Sequence, residues 1–467
     1  MNIKEFRRLD VNYSHFIGDP YVLMENAGKS VAEFCIKTFG NGKKILIIGG
    51  SGNKCGDSLV AAEILRKSNS VNVALLRGRE GIKAKMALRA LNNYHGSIVN
   101  KEELPNLMEN SDIILDGLLG TGISGEVREP YRSVIDSINR SGKTVVSIDV
   151  PSGFPGDLHV TPSYTLTFHA MKDGMDEKNS GKISVVDIGI PADMVYLSGP
   201  GDFIYLPIPK KESHKGMNGI LGIVGGWTYH GSAVISAFGA LATAPDLVNI
   251  FAPQDMKNII SGYSAEIITR TFTGIEDFLQ TASRMKCIVI GPGMGISGEK
   301  EEIVTKIVQN VHVPVVIDAD AIHMMSNHGD LFSSNMIFTP HAGEFRVLTG
   351  KDANRSNLEE FSKKYECVVI LKGSTDMIAK DGRVYFTEGG NSRLTMGGTG
   401  DLLTGILGGF LSKGIDPVVS SRMATYTEKR AAEMAFQKKS YWYSVSDLIE
   451  EIPSAIRESW EKCIEPS

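Results

Sequence analysis

The feature that most constrains this chain recurs along it. A short, unbroken run of Ile, Val and Leu ends in glycine or aspartate, and a helical pattern follows. KILIIGG (44–50) is the first clear case, with the helix-like SLVAAEILRK (58–67) after it. VNVALL, SDIILDG, KTVVSIDVPSG and KISVVDIGIP follow at intervals wide enough for crossover helices. Continuous apolar runs, rather than alternation, are the mark of strands covered on both faces. Right-handed crossovers between such strands build a doubly wound parallel sheet.

The rhythm stops near residue 200. GPGDFIYLPIPKKESHKG (199–216) carries prolines, glycines and clustered charge without periodicity, which reads as a linker. It then restarts with GILGIVGG, CIVIGPG, PVVIDADA, MIFTPHAGE and CVVILKG. MIAKDGRVYF places Asp-Gly between two apolar arms, a β-hairpin pattern. With 467 residues the chain is too long for one ordinary core. Two α/β domains are expected, over 1–205 and 210–467, and the halves are not evident repeats of each other. A formal net charge of -5 gives no reason to expect nucleic acid or an acidic membrane as partner. No apolar stretch approaches the ~18 residues of a membrane span, and MNIKEFRRLD lacks the core of a signal peptide. The five cysteines are scattered without a Cys-x-x-Cys pair, so a reducing, cytoplasmic setting without structural zinc is expected.

Glycine turns after strands carry the candidate chemistry. In GGTGD (397–401) the bare turn precedes a helical run, and a helix N-terminus offers unpaired N–H groups to an anion. A carboxylate there would repel a phosphate. Asp401 therefore reads either as an N-cap or as a base that takes a hydroxyl proton while the oxygen attacks phosphorus. LKGSTD (371–376) ends another strand with a lysine and two hydroxyls, and GPGMG (291–295) ends a third with a second glycine turn. TPHAGEF adds His341 and Glu344. DADA (318–321) offers carboxylates that suit either magnesium or turn chemistry.

These motifs, with HKGMNGILGIVGGWTYHGSA (214–233), stand in the order seen in the ADP-dependent NAD(P)H-hydrate dehydratase family, which this half resembles. The resemblance implies a ribokinase-like fold and a reaction that removes water from hydrated NADH or NADPH, converting ADP to AMP and phosphate, with Mg2+. It places substrate contacts on Ser232, Gly295, His341 and Asp401, and nucleotide contacts on Lys372, Gly373, Ser374, Thr375, Asp376 and Gly400. Ser232 stands where that family usually has alanine.

In the first half, GGSGNKCGDSLVAAE (49–63), ILDGLLGTGISGE (114–126), IDVPSG (148–153) and VLMENAGKSVAEF (22–34) resemble the NAD(P)H-hydrate epimerase family, of Rossmann-like fold. Together the halves resemble the bifunctional NAD(P)H-hydrate repair enzymes. The resemblance implies interconversion of the R and S hydrates. Substrate contacts would fall on Asn53, Lys54, Cys55, Gly56, Asp57, Gly120, Thr121, Gly122, Ile123, Ser124, Gly125, Glu126 and Asp149. Asp149 would be the acid/base, and Asp116 and Ser152 would be potassium ligands. The small-molecule partners would be NADHX, NADPHX and ADP, and a homo-oligomer is expected.

One loop departs from that family, which typically reads Gly-Asn-Asn-Gly-Gly-Asp-Gly where this chain has GNKCGDS (52–58). Cys55 and Ser58 replace glycines, and added Cβ atoms restrict close approach. Lys54 replaces an asparagine at a potassium-ligand position. Its ammonium reads either as pointing to solvent, with potassium and activity lost together, or as standing between Asp116 and Ser152 in place of the ion. Two other readings remain: a ribokinase-like small-molecule kinase, and a first half that is a non-catalytic binding module.

Overall fold

The computed structural model describes residues 1–99, 101–122 and 125–464. The chain divides into two compact units, the first formed by Met1–Met194 and the second by Val195–Cys463. Both are α/β. No helix among the described residues is long and apolar enough to cross a membrane.

The first unit holds β1 (Lys44–Gly49), β2 (Ser70–Leu75), β3 (Ile98–Val99), β4 (Ile113–Gly117), β5 (Thr144–Ile148), β6 (Tyr164–Phe168) and β7 (Lys182–Val186). They form one parallel sheet in the order β3-β2-β1-β4-β5-β6-β7. Ile45–Ile48 are buried on both faces, which is why this run does not alternate. The chain winds outward from β1 to β3 and returns to β4. The order therefore reverses between β1 and β4, the place where open α/β sheets leave a crevice for ligands.

The second unit holds β8 (Ile220–Val224), β9 (Leu247–Ala252), β10 (Ile267–Thr271), β11 (Cys287–Ile290), β12 (Val315–Ile317), β13 (Met336–Phe338), β14 (Val368–Leu371), β15 (Asp376–Lys380) and β16 (Arg383–Thr387). Their order is β10-β9-β8-β11-β12-β13-β14-β15-β16, parallel except for the antiparallel pairs made by β15. Asp381 and Gly382 both have positive φ, 51° and 74°, the conformation a two-residue hairpin turn requires. Order again reverses, between β8 and β11. Pro200–Tyr205, within the stretch read above as a linker, is a buried 3-10 helix of this unit. Phe203 is fully buried and Asp202 is ion-paired with Arg422.

Candidate functional site

Three strand ends meet in the second unit. Gly398, at φ 95°, starts the helix Thr399–Ser412 and makes no side-chain cap. Asp401 lies in the first turn rather than at the cap, so the capping role does not account for it. Its helix approaches the helix His230–Ala242 through glycine: a Cβ on Gly405 would lie 1.9 Å from the Ser236 carbonyl oxygen. That close approach lets the Ser236 hydroxyl donate to the Asp401 carbonyl at 2.9 Å and sets Ser232 near enough to the Asp401 carboxylate to favour its charged form. Burial, then the Asp318 charge, push the Asp401 carboxyl up to about 6, while the Ser232 hydrogen bond and Lys372 pull it down.

Lys372 ends β14. Its Nζ donates to Asp318 at 3.0 Å and lies 3.8 Å from Glu344. Burial draws this ammonium down, but the two carboxylates outweigh it and hold it above the ordinary lysine value. A Cβ on Gly400 would sit 3.2 Å from the same Nζ, so lysine and glycine turn face one point. Asp318 also accepts from Thr339 at 2.7 Å and Thr404 at 2.8 Å. Committed to three donors, it does not fit a magnesium ligand. Asp320 takes the Gly295 N–H at 2.6 Å, which fixes the second glycine turn.

His341 caps the helix Ala342–Thr349. Its Nδ1 accepts from Gly343 and Glu344 at 3.0 and 3.1 Å, so the neutral ring carries its proton on the exposed Nε2. Asp376 turns inward. Its carboxylate accepts from Gly373 N–H at 2.9 Å and pairs with Lys429 at 3.4 Å, so this expected nucleotide contact is engaged within the protein. Lys429 also donates to the carbonyls of Ser374, at 2.8 Å, and Gly373.

In the first unit the helix Asn53–Leu65 follows β1, with Gly52 at its cap. Cys55 and Ser58 are helical and fully buried, with Ser58 donating to the Cys55 carbonyl at 2.7 Å. Both side chains are packed inside the first unit rather than exposed on the loop. Gly56 lies against Met24, and Asp57 is half-buried. Burial, then Asp149 and Asp10, hold the Asp57 carboxyl well above the carboxylate range. Asp149 adopts φ 65° after β5, and its Oδ1 accepts from Phe168 N–H and from Lys172. Lys172 is buried, bonds Thr167 and the Phe168 carbonyl at 3.0 Å each, and lies over the Phe6 ring. Thr121 is half-buried, and Gly122, Gly125 and Glu126 are exposed beyond Gly120, on the loop after β4. Ile123 and Ser124 lie outside the described residues.

Two family models match. Residues 20–174 match the YjeF-related protein N-terminus, and residues 221–454 match NAD(P)H-hydrate dehydratase. A bifunctional NAD(P)H-hydrate repair enzyme Nnr of Archaeoglobus fulgidus is 33% identical over 470 residues, covering 97% of each chain. The chain belongs to the bifunctional NAD(P)H-hydrate repair enzyme family. Another relative with that name, from Pyrobaculum aerophilum, is 34% identical over 481 residues and 95% of each chain. Among solved structures, a ribokinase-like superfamily protein from Enterococcus faecalis matches 56% of this chain and 95% of its own. Its TM-score is 0.52 at 21% identity, a likeness of fold.

Three positions in this repair-enzyme chain were not legible as site residues in the sequence. Lys172 bonds Asp149, Asp10 adds a negative charge felt by Asp57, and Lys429 ties the 371–376 loop. Their sequence surroundings are those of ordinary charged residues. The potassium that the family implies does not fit here, since the Lys54 Nζ already fills the space between Asp116 and Ser152, 3.0 and 2.9 Å from them.

Two results follow from this geometry. Ser232→Ala removes a bond that favours the Asp401 carboxylate, so the acid limb of the dehydration pH profile should move up by about one pH unit or less. An unmoved limb in the kcat/KM profile would remove Ser232 from that role. Lys429→Met, made together with Asp376→Asn so that no buried charge is stranded, should raise the ADP KM by roughly tenfold with kcat little changed. An unaltered KM would show that the loop keeps its shape unaided.

Proposed function

We propose that this chain repairs hydrated nicotinamide nucleotides. The second unit dehydrates S-NADHX and S-NADPHX with ADP as co-substrate, and the first unit interconverts the R and S forms. The observation that carries the dehydratase half is Asp401, a carboxyl raised toward neutrality at the mouth of a glycine turn that faces the Lys372 ammonium.

The helix N-terminus at Gly398–Gly400 supplies N–H groups to phosphate oxygens, and Lys372 supplies a fixed positive charge. The substrate hydroxyl oxygen attacks the terminal phosphorus of ADP and Asp401 accepts its proton. The bond to AMP breaks. The phosphorylated oxygen then leaves the ring as phosphate, and the double bond of the dihydronicotinamide is restored as the neighbouring ring proton passes to the departing phosphate. Magnesium would come with the diphosphate, held by phosphate oxygens and water. His341, Gly295 and Ser232, each beyond a strand end, are the proposed further substrate contacts.

Epimerisation needs a proton given to the departing hydroxyl and one removed from the returning water. Asp57 supports the first role, since its surroundings favour the neutral acid, and Asp149 beside Lys172 supports the second. The five buried, free cysteines suit a reducing cytoplasm.

The test is incubation with S-NADHX and either ADP or ATP, following the absorbance of restored NADH and the release of phosphate. Restored NADH with stoichiometric phosphate is expected. A stable phosphorylated product without phosphate release would instead make the unit a kinase.

A further inference from the structure

Lys54 is a lysine in an unusual position. Its side chain is 3% exposed, and its Nζ lies among four oxygens from two chain segments. These are Asp116 Oδ2 at 3.0 Å, Ser152 Oγ at 2.9 Å, and the carbonyls of Val150 at 2.7 Å and Leu119 at 3.2 Å. One carboxylate, one hydroxyl and two carbonyls converging on a point form an oxygen cage of the kind that strips a potassium ion of its water. Here the centre is taken by a nitrogen.

The cage calls for a charged ammonium. Asp116 and the two carbonyls can only accept. Ser152 gives its proton to the other oxygen of Asp116 and accepts from Leu119 N–H at 2.8 Å. A neutral amine would point a lone pair at acceptors, whereas an ammonium brings three protons to them. Asp116 is otherwise complete. It takes Ser147 Oγ at 2.8 Å, Ser152 N–H at 2.9 Å and Leu118 N–H at 3.2 Å, and it is fully buried. A second cation placed there would face Lys54 at contact distance, in a buried site where bulk water does little to screen the repulsion. The cage also has a mechanical consequence. Leu119 precedes Gly120, and Val150 follows Asp149, so one ammonium ties the roots of the loops after β4 and β5.

We propose that Lys54 is a built-in monovalent cation, which holds the loops beginning at Leu119 and Asp149 together without a potassium ion. Its consequence for turnover rests on the epimerase reading above. The structural claim does not.

The experiment uses the full chain in potassium, sodium, ammonium or choline chloride at matched ionic strength, with amide hydrogen exchange followed in peptides spanning 113–122 and 145–155. The wild type should exchange identically in all four salts. Lys54→Asn should exchange about tenfold or more faster in choline and recover in potassium or ammonium. Lys54→Met, which fills the volume without charge, should be fast in every salt. Slower exchange of the wild type in potassium than in sodium would overturn the proposal. So would a Lys54→Asn protein that keeps wild-type protection in choline. If neither variant folds, the wild-type comparison alone decides. Epimerisation of R-NADHX by the wild type should likewise be indifferent to potassium. No epimerisation in any salt would remove the epimerase reading and leave the exchange result to decide the cation.

Discussion

Asp401→Asn should lower dehydration by about three orders of magnitude, roughly 4 kcal/mol in barrier, while ADP still binds. The amide keeps the shape of the carboxyl and can still meet Ser232, but it cannot take the hydroxyl proton. Loss of fold would not explain the result, because stability should move the other way. The folded carboxyl is raised from 3.8 to about 6, so above pH 6 the folded state carries an ionised group that the unfolded chain holds more easily. Asparagine removes that penalty. The variant should melt above the wild type at pH 8, and the difference should shrink as pH falls through 6 and vanish below about 4. Dehydration within about threefold of wild type, on the order of 0.65 kcal/mol, would mean that Asp401 is not the base.

Lys372→Met carries the second large effect. The lysine serves the buried Asp318, Glu344 at 3.8 Å, and the phosphate proposed beside Gly400. Removing it strands the Asp318 charge, at a cost of about 2 kcal/mol, less than for a fully buried pair. It also removes a charge-assisted contact to ADP, weakening binding by roughly tenfold to a hundredfold. The two losses separate in the double variant Lys372→Met with Asp318→Asn. Stability should largely return there, since the buried Asp318 charge is gone and Glu344 keeps the His341 N–H, while ADP affinity measured by calorimetry stays low. Wild-type affinity in the double variant would place the nucleotide elsewhere.

The parallel strands were readable because burial on both faces is written locally. Ile45–Ile48 and Cys287–Ile290 are apolar without interruption, and glycine follows each. The Asp381-Gly382 hairpin was readable for the same reason, since few residues other than Asp, Asn and Gly tolerate positive φ at such a turn. Strand β6 was harder. In YTLTF the threonines look solvent-facing, yet both are fully buried, with Thr165 bonded to the Ser180 carbonyl at 2.6 Å and Thr167 to Lys172. A hydroxyl satisfied by a distant partner leaves no trace in periodicity.

The sequence by itself determined two α/β units and the glycine turns at their strand ends, together with Asp401, Asp149, Asp116 and Ser152 as the polar residues standing there. Periodicity and turn chemistry act over a few neighbouring residues, so a linear reading captures them. Only the tertiary structure decided what each of those groups meets. Lys54 finds its oxygens 62, 65, 96 and 98 residues away. Lys429 reaches back 55 residues to Ser374. Ser232 meets Asp401 only because two helices close on glycine. Charge, burial and hydrogen bonding at a site are properties of groups brought together by the sheet order, and that order brings residues together without regard to their distance along the chain.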